Sequence, residues 1–129
     1  MATLNAKLTL SSTDLHSGTF TLTADVAAGV AVPFEGISRV AAEASSGSAT
    51  SIKPSGSANQ YLYVKHTGFQ SDGTTATTHQ LSLEFGGADS ARLDANEWAF
   101  IPVKSSVVVG VKSASTHTIM TEYAWFTAS

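Results

Sequence analysis

The residues best placed to do chemistry stand in the stretch "ARLDANEWAFIPV" (91–103), where Asp94 and Glu97 lie close together and Glu97 runs directly into Trp98. Glycoside hydrolysis needs two carboxyls roughly 5–10 Å apart, one with a raised pKa, and an indole can act as a sugar platform. The plainer reading is that Asp94-Ala95-Asn96 forms a turn, which makes both acids solvated residues at the entrance of a strand. The residue types favour that reading. The four histidines are His16, His66, His79 and His117, and no H-x-H or H-x-x-x-H spacing joins them. His66 and His79 flank the loop "GFQSDGTTATT" and could approach each other, and two imidazoles with a carboxylate can bind zinc. Their polar settings favour surface or strand-end histidines. No G-x-S-x-G elbow is present. The run from Gly47 to Lys53 has the wrong spacing for a phosphate-binding loop, with Pro54 where Ser or Thr belongs. Asp72 and Asp89 stand singly, not in the acidic series of a calcium loop. The expectation is a non-enzymatic protein with no catalytic residue, metal ligand or cofactor.

The elements that must position these residues are strands, because period-two alternation runs from end to end. In "TLNAKLTL", Leu4, Ala6, Leu8 and Leu10 oppose Thr3, Asn5, Lys7 and Thr9; in "GTFTLTADV", Phe20, Leu22, Ala24 and Val26 oppose Thr19, Thr21, Thr23 and Asp25. Threonine suits the wet face of a strand because its branched Cβ fits the pleat. Further candidates are "ISRVAAE", "QYLYVKHT", "HQLSLEFG", "EWAFIPV", "SVVVGVKSA" and "IMTEYAWF", and "SRVAAEAS" could alternatively make a helical turn or two. Turn formers separate them at Ala28-Gly29, Asp72-Gly73 and Gly86-Gly87, and residues 45–59 read as one long Ser/Gly/Ala-rich surface loop. The expected fold is all-β, a single-domain antiparallel β-sandwich of about eight strands, jelly-roll-like, spanning 1–129.

Two strands are apolar on both faces. Trp98, Phe100 and Pro102 point one way, with Ala99, Ile101 and Val103 the other; Tyr123 and Trp125 likewise oppose Ala124 and Phe126. Such strands lie inside an assembly or carry a patch for a partner. Trp98, Phe100, Tyr123 and Trp125 are therefore expected to include both core and interface residues, with Phe69 a loop aromatic able to touch a partner. Pro102 donates to no ladder and belongs at an edge or a strand end.

Composition fits association. Only 13% of residues are charged, against about 25% in typical domains, which makes a poorly solubilising surface for a lone monomer. The net charge is −3 and the seven Lys and Arg are scattered, without the basic stripe that nucleic acid requires. No apolar run approaches the roughly 18 residues of a membrane span. Cysteine is absent, which removes disulfides and thiolate chemistry. The opening "MATLNAKLTL" lacks the basic and apolar regions of a signal peptide, so the expectation is synthesis and assembly in the cytoplasm.

The segments "YLYVKHTG", "HQLSLEFGG", "ARLDANEWAFIPV", "VVVGVKSA" and "TEYAWFT" resemble small virion structural proteins of tailed bacteriophages, marine ones in particular. Tyr61, Tyr63, Lys65, Thr67, Leu93, Glu97, Trp98, Pro102, Glu122, Tyr123 and Phe126 match that group's order over about half the chain, from Gln60 to Thr127. His66 stands where the group's pattern has asparagine. The resemblance implies a β-sandwich without enzymatic activity, located in the virion as a capsid decoration or cement protein. Its partners would be the major capsid protein and sister copies, with a homotrimer favoured. It does not by itself choose between head and tail, and the alternative is a tail or head-fibre adhesin touching host glycan through Trp98 or Trp125 and the loop around Phe69. A carbohydrate-binding module is the rival of another class and would go with a secretion signal or a flanking catalytic domain. A small RNA-phage coat protein fits poorly, because such shells face RNA with basic residues and end in helices.

Overall fold

The structure, a computed structural model, describes residues 1–14, 18–32, 36–53 and 55–129; His16 lies outside them. Among these residues the chain forms ten strands and no helix: β1 (Ala2–Ser12), β2 (Phe20–Val30), β3 (Ser38–Ala42), β4 (Thr50–Lys53), β5 (Gln60–His66), β6 (Leu81–Phe85), β7 (Ala88–Leu93), β8 (Trp98–Val103), β9 (Val109–Ser113) and β10 (Ile119–Thr127). The protein is all-β, and its sheets are antiparallel. The chain divides into two compact units, Met1–Pro33 with Ala128–Ser129, and Phe34–Thr127.

The larger unit is a sandwich of two four-stranded sheets, ordered β3-β10-β5-β8 and β4-β9-β6-β7. Its pairings are nested: β3 with β10, β4 with β9, β5 with β8 and β6 with β7. The pairs β10–β5 and β9–β6 complete the two sheets. At the centre of the nest Phe85 pairs with Ala88, so Gly86 and Gly87 alone make the turn, at φ 62° and 88°. A two-residue turn with positive φ at both positions matches the right-handed twist of its strands, and glycine adopts it without a Cβ clash.

Alternation decides which side chains enter the core. In β5, Leu62 and Val64 are fully buried while Tyr61, Tyr63 and Lys65 are half-buried on the other side. Leu62 and Val64 meet Ile52, Leu81, Leu83, Val109, Val111 and Ile119 in one cluster supplied by both sheets. Each such side chain withdrawn from water contributes about 1.5–3 kcal/mol, which the ordering entropy of the chain largely offsets.

Three elements depart from the sequence reading: β2 runs through Ala28-Gly29, read as a turn, to Val30, and β4 and β7 are strands that it does not contain. Within 45–59, read as a loop, Thr50–Lys53 form β4, with Ile52 and Lys53 both buried. A four-residue strand holding one apolar residue has no alternation to display. Similarly, β7 carries exposed Asp89 and Arg92 and buries only Leu93 fully, as an edge strand with one wet face does. "ISRVAAE" is strand β3, not a helical turn. In the smaller unit β1 and β2 pair with each other over eleven residues each, and Val30 also bridges to Ala128.

Candidate functional site

β8 lies at the edge of its sheet and pairs only with β5 among the described residues. Ala99 and Ile101 pack against the core and Val103 belongs to it, which turns Trp98, Phe100 and Pro102 outward. The ladder donor that proline lacks is least missed at such an edge. Trp98 is 52% exposed. Phe100 is half-buried and stacks on Tyr61 of β5, with ring centroids 6.0 Å apart and planes 1° from parallel. Tyr61 stands opposite Pro102, so the stack is a diagonal cross-strand pair.

Register carries this outer face across the sheet. Arg39 faces Glu122, Glu122 faces Lys65, and Lys65 faces Trp98, one row over four strands. The next rows hold Ala124, Tyr63 and Phe100, then Phe126, Tyr61 and Pro102. The face thus passes from a charged end to an aromatic one. At the charged end the Arg39 guanidinium lies 3.1 Å from Glu122, whose other carboxylate oxygen accepts the Tyr63 hydroxyl at 3.0 Å. That hydroxyl, with Arg39 and Lys65 beside it, holds the Glu122 carboxyl below the usual range. Burial, reinforced by the Glu122 carboxylate, pushes Tyr63 up.

Beyond this row lies a cleft of about 160 Å³ lined by Arg39, Lys65, Thr67, Phe69, Gly73, Met120 and Glu122. Phe69 is 40% exposed, and its carbonyl accepts the Met120 N–H at 2.9 Å. Its loop is closed by Asp72, which accepts the N–H groups of Thr74 and Thr75 at 2.9 and 2.8 Å and the Thr75 hydroxyl. These bonds favour the charged form and bring the Asp72 pKa down to about 2.

Below the loop sits His66, fully buried. Its Nδ1 accepts the Gly68 N–H at 2.9 Å, so the ring proton is on Nε2, which donates to the His79 carbonyl at 2.8 Å. Gly68 has φ 84°, a conformation that favours glycine, and an added Cβ would stand 3.0 Å from the Asn96 side chain, a tight contact. His66 and His79 thus meet through a backbone carbonyl; the His79 ring stacks instead on His117, centroids 4.7 Å apart.

The structure sorts the aromatic residues singled out in the sequence. Trp98, Phe100 and Phe69 stand outside, whereas Tyr123 and Trp125 pack against the core. Glu97 is the turn closure that its neighbours implied: its carboxylate accepts the Asp94 N–H at 2.7 Å and its own N–H donates to the Asp94 carbonyl at 3.0 Å. Asn96, at φ 71°, supplies the left-handed residue the turn needs. The sequence reading missed Arg39, Tyr61, Tyr63, Lys65 and Glu122 as one surface. Alternation in "QYLYVKH" and "IMTEYAWF" places most of them on outer faces, but only register aligns them. No protein-family model matches the chain, and a search of curated proteins returned no match.

Proposed function

We propose that this chain is a non-enzymatic structural protein of a tailed-bacteriophage virion, a capsid decoration protein that binds the outside of the major capsid shell and stabilises it. The observation that carries the reading is the outer face of the β3-β10-β5-β8 sheet. There, exposed Trp98 and the Phe100–Tyr61 stack lie at an edge strand, at the aromatic end of a face whose other end is charged. An aromatic patch flanked by an Arg–Glu–Tyr cluster has the anatomy of a partner contact, with apolar anchors and a polar rim. The nested strand order supports reading the sandwich as a jelly roll, an architecture used by viral capsid and lectin domains. The likeness of residues 60–127 to phage virion proteins supplies the setting. Binding the assembled shell in preference to the free coat subunit would stabilise the shell by linkage.

Cosedimentation of purified protein with shells lacking it tests the reading. Wild-type protein should pellet with the shells, and Trp98→Ala should weaken binding by about 30-fold or more, the scale of an interface anchor worth about 2 kcal/mol. Full binding by Trp98→Ala would remove Trp98 as the anchor, and no binding by the wild type would end the decoration reading.

A second reading, an adhesin contacting a host-surface glycan, is favoured by one observation: the cleft beside Phe69 combines an exposed aromatic ring with Arg39 and Lys65. An aromatic ring beside cationic donors suits an acidic sugar. Binding on a panel of acidic glycans, abolished by Phe69→Ala and weakened by Arg39→Ala, would establish it; no binding to any of them would dismiss it.

A further inference from the structure

Three of the chain's four histidines, His66, His79 and His117, meet at the base of one loop, the segment between β5 and β6 that carries Phe69. The loop doubles back on itself: the Thr77 N–H donates to the Gly68 carbonyl at 2.9 Å, and Phe69 bridges to Ala76. The His66 ring spans its two ends, accepting from the Gly68 N–H at one and donating to the His79 carbonyl at the other. A second attachment is to β10, where the Met120 carbonyl accepts the Thr67 hydroxyl at 2.7 Å and the Met120 N–H donates to the Phe69 carbonyl. A third joins Ser71 to Thr118.

We propose that His66 is a proton-operated clasp, which fixes the base of this loop at neutral pH and releases it in acid. Histidine is the side chain whose charge ordinarily changes between about pH 5 and 8. Both ring nitrogens of His66 are committed, and the bond from Gly68 requires a lone pair on Nδ1. A proton added there turns the acceptor into a donor aimed at a donor, so Gly68 must leave. It also places a charge in a fully buried site, which is costly without a partner. None is at hand: among the described residues no carboxylate bonds to any of the three rings. The acids around the junction are engaged elsewhere, Asp72 by Thr74 and Thr75, Asp94 by the Gln80 amide and Glu97 by the Asp94 N–H. Lys65 and Glu122 belong to the outer row of their sheet, Arg92 is drawn to Asp89, and Glu43 and Lys112 stand beside each other in a backbone bridge. Acid loads the same junction from the solvent side. His79 is half-buried and stacks on exposed His117, so charging both rings sets like charges face to face and pushes on the residue whose carbonyl the clasp holds. The bonds to Met120 and between Ser71 and Thr118 involve no titratable group, and they keep the released loop tethered to β10. Phe69 and Gly73 form the loop's share of the cleft wall, so that wall is fixed at neutral pH and loosened in acid. The clasp is a property of the free chain and holds whichever partner the cleft takes.

Amide hydrogen exchange followed by NMR tests it. Corrected for intrinsic exchange, Gly68 protection in the wild type should fall about 10-fold or more between about pH 7.5 and about pH 5, because an opening coupled to one proton gains a factor of about 10 per pH unit. Thr74 and Thr75, closed by Asp72, should keep their protection, as should Leu62 and Leu83 in the core. The His66 ring should titrate in step with Gly68, a reading that needs no substitution. His66→Asn offers Gly68 an oxygen that takes no proton in this range, so its Gly68 protection should stay within about 3-fold. His117→Phe keeps a ring on His79 but takes no proton, and should move the fall to lower pH; an unmoved fall would overturn the share assigned to the stacked pair. If His66→Asn fails to fold, the titration of the His66 ring still decides. Gly68 protection that holds in the wild type down to about pH 5, or that falls equally in His66→Asn, would overturn the proposal. So would a fall shared by Leu62 and Leu83, which is unfolding of the whole sandwich.

Discussion

Replacing His66 tests the buried junction that holds the Phe69 loop against the sandwich. His66→Ala deletes two hydrogen bonds, 2.9 Å from the Gly68 N–H and 2.8 Å to the His79 carbonyl, and empties a fully buried site. Each backbone group left unpaired costs about 1–3 kcal/mol, and the cavity adds to that, so the loss should reach about 3–5 kcal/mol. In a chain of this size that lowers the melting temperature by on the order of 10–20 °C. His66→Asn separates the two bonds. Its side-chain oxygen can accept the Gly68 N–H as in an Asx-turn, leaving only the His79 carbonyl unpaired and a loss of about 2 kcal/mol. Urea unfolding of the three proteins gives the ranking, and the imidazole ¹⁵N shifts should report a proton on Nε2. A loss below about 1 kcal/mol for His66→Ala, or His66→Asn no better than His66→Ala, would refute the reasoning.

Trp98→Ala should cost the isolated fold under about 1 kcal/mol, because the indole is half in water; a loss of about 3–5 kcal/mol, measured by urea unfolding, would place it in the core instead. Thr121→Val should stabilise the protein by about 1 kcal/mol, since the buried Thr121 hydroxyl has no partner among the described residues; thermal melting would expose a fall instead. Tyr63→Phe should lower stability at neutral pH, and the difference should shrink in acid. Because Glu122 is depressed in the fold, its contribution is present above the unfolded carboxyl pKa and lost as pH falls through the lower folded value. A difference independent of pH would contradict the Tyr63–Glu122 bond. Exchange protection of the Thr74 and Thr75 amides should fail as pH drops through about 2, where Asp72 takes up its proton; unchanged protection below that point would dissociate the loop from Asp72.

A strand with one wet and one dry face was legible from spacing alone in Leu62 and Val64 against Tyr61 and Tyr63, whereas Trp98 and Phe100 against Ala99 and Ile101 are apolar on both sides and only packing shows which side faces the core. The Asp94–Glu97 turn was legible because its residues are turn formers whose side chains act within a few positions. Partnership between distant strands was not. β3 pairs with β10 across most of the sandwich sequence, and nothing local in "SRVAA" specifies that Arg39 will meet Glu122. Lys53 defeated composition in another way. A lysine is expected in water, yet here burial lowers its pKa and its ammonium donates to the Val107 carbonyl. That β1 and β2 belong to a unit of their own was not legible either, because a ribbon and a sandwich strand share the same alternation.

Electron-microscopic reconstruction of phage particles made with and without this chain tests the central claim most directly. Regularly placed density should appear on the outside of the shell, fitting the β3–β10 sandwich with Trp98 toward the coat subunits and vanishing when the chain is deleted. Identical reconstructions, with the chain missing from purified particles, would contradict it.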